Sequence, residues 1–182
     1  MATLIIEDGT GVAGANSYVT VAQADIYFAN VNNTVWDGLD SIDQKGPFLI
    51  QAVRYMQQVY RSRWKGYRRY SLNLTSKTQI LDWPRVWVDQ IDSPGGYGPY
   101  PYFYDPNSIP QEIKDAQCEL AVRAANGDLA PDIDRVEKSV QVGSLKVEYD
   151  PNYSPIVVFR AIEALLDPFF ESQGTMSRIG RL

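Results

Sequence analysis

The chain contains no histidine and a single cysteine. Without histidine there is no Ser–His or Cys–His nucleophile pair, the commonest general base is missing, and most zinc sites are excluded. Cys118 has no partner for an internal disulfide, which fits a reducing compartment. Its place in a helical stretch reads as a small buried hydrophobe. No apolar run approaches the roughly 20 residues of a membrane span, so no membrane partner is expected. The first residues lack a basic region followed by a long apolar one, so no signal peptide is expected. Neither a phosphate-cradling glycine loop nor a compact Asp/Glu motif with metal spacing occurs. No catalytic residue, metal or cofactor is therefore expected, and enzymatic chemistry is set aside.

What is present is an uneven distribution of charge. Arg54 to Arg85 hold eight basic residues (Arg54, Arg61, Arg63, Lys65, Arg68, Arg69, Lys77, Arg85) against one acid, Asp82, a balance of +7. The rest of the chain is anionic: residues 1–53 carry −5, 86–104 carry −2 and 105–174 carry −7, with +2 at 175–182, for a total of −5. The basic stretch also holds two of the four tryptophans, in Arg63-Trp64-Lys65-Gly66 and Trp83-Pro84-Arg85. Such a segment asks for a negative partner, either nucleic acid or an acidic surface of another protein chain. Duplex-DNA binders are usually basic overall, so the net charge favours a protein surface.

At 182 residues and 45% hydrophobic content the chain is long enough for one domain with a real core. Leu4 to Glu7 read as a short strand with Ser17 to Val19 as its partner, and Asp8-Gly9 as a turn. Thr20 and Gln23 have capping-box spacing, placing a helix from Val21 with Ile26, Tyr27 and Val31 toward the core. Asn32 to Asp40 read as a polar loop in which Trp36 packs inward. Ser41 and Gln44 repeat the capping-box spacing, but Gly46-Pro47 interrupts, so the second helix is expected from Pro47. Its core stripe is Leu49, Ala52, Val53, Met56, Val59 and Tyr60, and it ends before Gly66. Tyr67 to Ser76 read as loop, Trp83 as extended before Pro84, and Val86 to Val88 as a strand. A third helix starts near Pro110, with Ile113, Ala116, Leu120 and Ala124 on one face and Gly127 as its stop. Val140 to Tyr149 alternate around Gly143-Ser144 as a hairpin. A fourth helix has Ser154 as N-cap, Pro155 at its first position and Val158, Phe159, Ile162, Leu165 and Leu166 as its apolar face, with Pro168 ending or kinking it.

Two segments stand apart. Asp92 to Asn107 form a long loop rich in Tyr, Pro and Gly, with Tyr97, Tyr100, Tyr102, Phe103 and Tyr104 in it. Those aromatics either contact a neighbouring subunit or another protein, or fold back on their own surface. The end of the chain, 171–182, is too polar to fold alone. It is either a frayed end or a segment that orders on a partner. The expected fold is mainly α (α+β): a small bundle of about four helices with a β-hairpin, the aromatic loop and an extended C-terminal tail. It comprises one domain over 1–170 and the tail over 171–182.

The order Trp64-Lys65-Gly66, Gln79, Leu81, Trp83-Pro84-Arg85 resembles the core signature of a family of small tailed-phage proteins. These are the head–tail adaptors, also called connector or head-completion proteins. The same group also carries the label DnaT-like single-stranded-DNA-binding protein. The opening Ala2 to Gly11 with Ala15-Asn16-Ser17-Tyr18 is similar as well, as is Ile109-Pro110 leading a helix that closes at Gly127-Asp128-Leu129. Val86 to Ser108 depart from the family pattern. The resemblance implies a structural protein of the virion neck, assembled in the host cytoplasm as a ring, commonly dodecameric, beneath the portal protein. A tail-side neck protein, a stopper or tail terminator, would meet its other end, and genomic double-stranded DNA would pass through the lumen.

On that reading Arg61, Arg63, Lys65, Arg68, Arg69 and Arg85 are candidates for the subunit interface, since segregated opposite charge sets register in a head-to-tail contact. Trp64 and Trp83 are expected to brace the region from the core. Arg178, Ile179, Arg181 and Leu182 of the tail are candidates for portal binding. The five loop aromatics are candidates for the tail-side or neighbour contact. The alternative is a single-stranded-DNA binder, supported by the mixture of Trp, Tyr and Arg between Arg61 and Arg69, because aromatics stack on bases and cations track phosphates.

Overall fold

Two long helices carry the centre of the molecule because each presents a stripe of small and aliphatic side chains to the other. The computed structural model describes residues 3–39, 42–70, 79–90, 102–131, 139–142, 145–148 and 159–171. Among these, the elements run α1 (Val21–Asn30), α2 (Thr34–Asp37), α3 (Ile42–Val59), β1 (Tyr67–Arg68), β2 (Arg85–Val86), α4 (Gln111–Asn126), β3 (Ser139–Val142), β4 (Leu145–Glu148) and α5 (Arg160–Leu166), with a 3₁₀ turn at Asp167–Phe169. The fold is mainly helical with small antiparallel pairs, an α+β arrangement. α3 packs on α4, and α5 and α1 pack on α4 in turn. Leu49, Ala52, Val53, Met56 and Tyr60 are buried as the helical spacing requires, against Ile113, Ala116, Leu120 and Ala124. The alanines let the helix axes approach closely, while Ile162 and Leu166 close the core from α5.

The capping box at α1 is present: Thr20 Oγ1 accepts from Gln23 N–H at 3.1 Å, and Gln23 Oε1 accepts from Thr20 N–H at 2.8 Å. The phase of that helix differs from expectation. Val21, Ala24 and Phe28 are buried, whereas Ile26 and Val31 are exposed and Tyr27 lies at the edge. The stripe at i, i+3 and i+7 faces the core, with Phe28 against Trp36, which leaves Ile26 and Val31 exposed. Trp36 is buried as expected, stacked at 4.7 Å on Phe28, with its indole N–H donating to Asp25. It rides on α2, a one-turn helix that the polar loop reading missed. The Asn33 side chain caps that turn by accepting from Val35 and Trp36 N–H.

Pro47 does not start α3 but lies inside it. Proline there removes one backbone bond, to the carbonyl four residues back, a loss confined to the second turn of an 18-residue helix. Gly127 stops α4 as expected, in extended backbone. The hairpin pairs Val140 with Val147 and Val142 with Leu145, leaving two residues for the connection; the turn at Gly143-Ser144 lies outside the described residues. Ser154, Pro155 and Val158 also lie outside them. The described part of the fourth expected helix, α5, starts at Arg160, and the 3₁₀ turn with Pro168 ends it.

Near the chain's start, the expected Leu4–Glu7 strand is reduced to a single bridge, Ile6 to Ser17. Glu7 explains the loop between them. Its buried carboxylate accepts Gly9 and Gly11 N–H through Oε1 and Val12 N–H through Oε2, each at 2.9 Å. The chain wraps around its own side chain there, in place of pairing with a neighbour.

One fully buried polar side chain ties this region to both long helices. Gln117 on α4 donates to Ser17 Oγ at 2.7 Å and to the Leu49 carbonyl at 3.0 Å, and accepts the Tyr18 N–H at 2.9 Å. Replacing Gln117 by Leu keeps the volume but removes three buried hydrogen bonds and leaves the Tyr18 N–H without its acceptor. Gln117→Leu is expected to lower the unfolding free energy by about 2 kcal/mol in urea titrations, whereas an exposed control such as Gln111→Leu should change it little.

Candidate functional site

The tryptophan–arginine signature folds into a knot built on a buried cation. Arg85 is 7% exposed. Its guanidinium donates to four backbone carbonyls: Lys65 at 2.7 Å, Gly66 at 2.6 Å, Trp64 at 3.3 Å and Asp82 at 3.3 Å. The Arg of Trp83-Pro84-Arg85 thus grips the carbonyls of Trp64-Lys65-Gly66. Gln79 secures the other side of the turn, donating to the Leu81 and Pro84 carbonyls at 2.8 and 2.9 Å and accepting the Tyr70 N–H at 3.1 Å. β1 and β2 pair beside it, Tyr67 with Val86 and Arg68 with Arg85; β1 lies where a loop is expected, and β2 overlaps the start of the expected strand Val86 to Val88. Gly66 is required at the crossing. Its φ is +64°, and an added Cβ would sit 2.1 Å from the Val86 carbonyl oxygen.

Trp64 and Trp83 are buried and meet edge-to-face at 5.9 Å, with Phe169 and Phe170 packed around them. The chain from Arg63 to Lys65 pairs with 169–171: Lys65 N–H donates to the Phe169 carbonyl and Glu171 N–H to that of Arg63. The last described residues are therefore stitched to the knot.

Most of the basic block is answered within the subunit. Arg61 pairs with buried Asp82 at 2.9 Å, Arg63 with Glu163 at 2.5 Å and Lys65 with Asp89 at 3.4 Å. Arg63 also lies 4.1 Å over the Phe170 ring, Arg69 5.3 Å over Tyr70, and Arg68 donates to the Gln79 carbonyl. Burial raises the Asp82 carboxyl above its ordinary range, and Arg61 offsets part of that. Burial likewise pulls the Arg85 guanidinium down, opposed by Asp82. Among the described residues nothing bonds Asp82 Oδ2 or the indole N–H groups of Trp64 and Trp83. The structure thus brings Arg61, Arg63, Lys65, Arg68, Arg69 and Arg85 together. Arg85 works inside the fold and is withdrawn from any surface.

Beyond the knot the chain turns outward. Trp87 has φ +60° and is 61% exposed, so the expected strand Val86 to Val88 is broken at its middle residue. Val88 returns to the core, and Asp89 bridges Phe103. The Tyr67 ring stands edge-on to Trp87 at 5.7 Å and is itself exposed. Of the loop aromatics, Tyr102 and Phe103 are exposed, while Tyr104 packs on Phe169 at 5.1 Å. Tyr97, Tyr100, Lys77, Arg178, Ile179, Arg181 and Leu182 lie outside the described residues. The prominence of Trp87 was not legible in the sequence, because a bulky residue in a left-handed conformation carries no local signal.

Two open depressions flank the helices. One, of about 470 Å³, lies between α3 and the end of α4 and is lined by Phe48, Arg54, Tyr55 and Leu129. The other, of about 250 Å³, lies between α1 and α4, with Val19, Gln23, Ile26, Tyr27, Asp115 and Cys118 around it. Burial pushes the Cys118 thiol up to about 12, so it is kept neutral and inert. No group of three His, Cys, Asp or Glu side chains that would hold a metal occurs among the described residues.

Residues 2–182 match the family described as "Putative DnaT-like ssDNA binding protein", and the chain belongs to that family. No curated protein and no solved structure matches it.

Two tests follow from this geometry. Arg85→Lys removes the planar fork that reaches several carbonyls at once and is expected to cost roughly 3 kcal/mol of stability, read by urea unfolding. Cys118 should resist thiol reagents at pH 8 in the native protein and react once urea unfolds it. Because its folded value lies above the ordinary 9.0, its contribution is full below pH 9 and is lost as pH rises toward 12.

Proposed function

We propose that the protein is a structural head–tail adaptor of a tailed phage, a ring-forming subunit seated between the portal and the tail-side neck proteins, with DNA passing through the ring. One observation carries this reading. The residues that resemble the adaptor signature are consumed by an internal knot, while large apolar side chains (Trp87, Tyr67, Ile26, Val31, Val35) stand exposed elsewhere on the body. A body organised in this way acts through surfaces that other protein chains cover. Net charge of −5 and the internal ion pairs argue in the same direction, because a chain that only tracks phosphates needs its cations free. The tail 171–182 supplies the portal contact through Arg178, Ile179, Arg181 and Leu182. Tyr102 and Phe103 belong to the tail-side or neighbour contact.

A second reading follows the family's description. The exposed Tyr67–Trp87 pair lies beside Arg68 and Arg69, a combination suited to stacking bases and holding phosphates of a single strand. A salt titration with a dT oligonucleotide separates the two. The adaptor reading predicts no tight binding at 150 mM salt. A binder would instead hold the oligonucleotide at that salt and weaken steeply above it. Removing everything after Gln173 should leave a folded protein that no longer binds isolated portal rings in negative-stain images. Undiminished portal binding would remove the tail from the contact.

A further inference from the structure

We propose that Trp87, braced by Tyr67, is a knob that seats in the α1–α4 groove of a second copy of this chain, which identifies the subunit-to-subunit contact of the ring and rests on the adaptor reading above. The knob is built to project. A left-handed φ at a bulky residue is strained and persists only where its surroundings impose it. Here Gly66, whose missing Cβ admits the Val86 carbonyl, and the return of Val88 to the core fix the backbone on both sides. The result holds an indole 61% exposed, with the Tyr67 ring set at 89° against it. Two aromatic rings held in place before contact lose little freedom on docking, as the anchors of interfaces do.

The groove has the complementary form. Its space of about 250 Å³ suits one aromatic side chain and is small for a drug-sized ligand. Ile26 stands 63% exposed on its rim, turned out by the phase of α1. The charges match as well. The knob is flanked by Lys65, Arg68 and Arg69, with Asp89 already paired to Lys65. At the groove α4 presents Asp115 beside Lys114, and a second carboxylate, Glu119, stands behind the lining, accepting from Tyr27 and paired with Arg123. Opposite fields of this kind set orientation and suppress wrong pairings. Knob and groove share no residue, so the contact joins two different patches and repeats from subunit to subunit, as a ring requires.

The test uses full-length wild type, Trp87→Ser and Ile26→Glu, followed by sedimentation velocity from 1 to 200 µM. Both side chains are exposed, and thermal melts within a few degrees of wild type confirm folding. Wild type is expected to assemble with rising concentration, and each variant alone to stay monomeric, weakened at least tenfold. An equimolar mixture of the two variants should form one-to-one dimers and nothing larger, because it retains one intact knob and one intact groove. Assembly of both variants like wild type overturns this contact and leaves the adaptor reading standing. Monomeric variants whose mixture does not pair show that the two faces are not partners. Loss of dT oligonucleotide binding in Trp87→Ser with assembly unchanged makes the knob a base platform and also overturns the proposal. A wild type that stays monomeric throughout removes the ring reading and this contact together.

Discussion

A buried guanidinium holding four carbonyls is the constraint on which the rest of this protein depends. Peptide carbonyls left in a turn between two tryptophans would be costly to bury without donors. Arg85 supplies them from one planar group, and in doing so closes 64–66 against 82–86. The two indoles then pack on each other, and the chain at 169–171 pairs alongside. Everything exposed nearby, above all Trp87 and Tyr67, is positioned by this closure.

The knot changes the meaning of the basic stretch. Read as a string, eight cations in thirty-two residues look like a surface in search of phosphate. In three dimensions Arg85 is internal, and Arg61, Arg63 and Lys65 have carboxylate partners within the same chain. Two of those carboxylates, Asp89 and Glu163, come from stretches that look independently acidic. Charge segregated along the sequence is thus partly mixed by folding. What is left to act outward is shape and apolar area, with a modest positive bias around the knob.

Much of the fold was legible because it rests on local chemistry. The Thr20–Gln23 cap, the stripe from Leu49 to Tyr60, the face from Ile113 to Ala124 and the hairpin around Val142 and Leu145 each follow from spacing. The failures have a common origin in contacts that spacing does not encode. Which edge of α1 faces the core decided between Phe28 and Ile26. Asn33 capped a turn that composition disguised as loop. Pro47 was absorbed by α3, and β1 exists only because Arg85 and Val86 lie opposite it. The candidate site was half legible. The tryptophans and arginines of the signature stood out, but their inward role did not, and the left-handed backbone that lifts Trp87 has no sequence mark.

The central claim is that Trp87 meets protein and not nucleic acid, and the molecule carries its own probe for that. Trp36, Trp64 and Trp83 are buried, so acrylamide quenching of tryptophan fluorescence reports on Trp87 alone. The account predicts that quenching falls as protein concentration rises through assembly and is unchanged by a dT oligonucleotide at 150 mM salt. Protection by the oligonucleotide, with none from concentration, would contradict it.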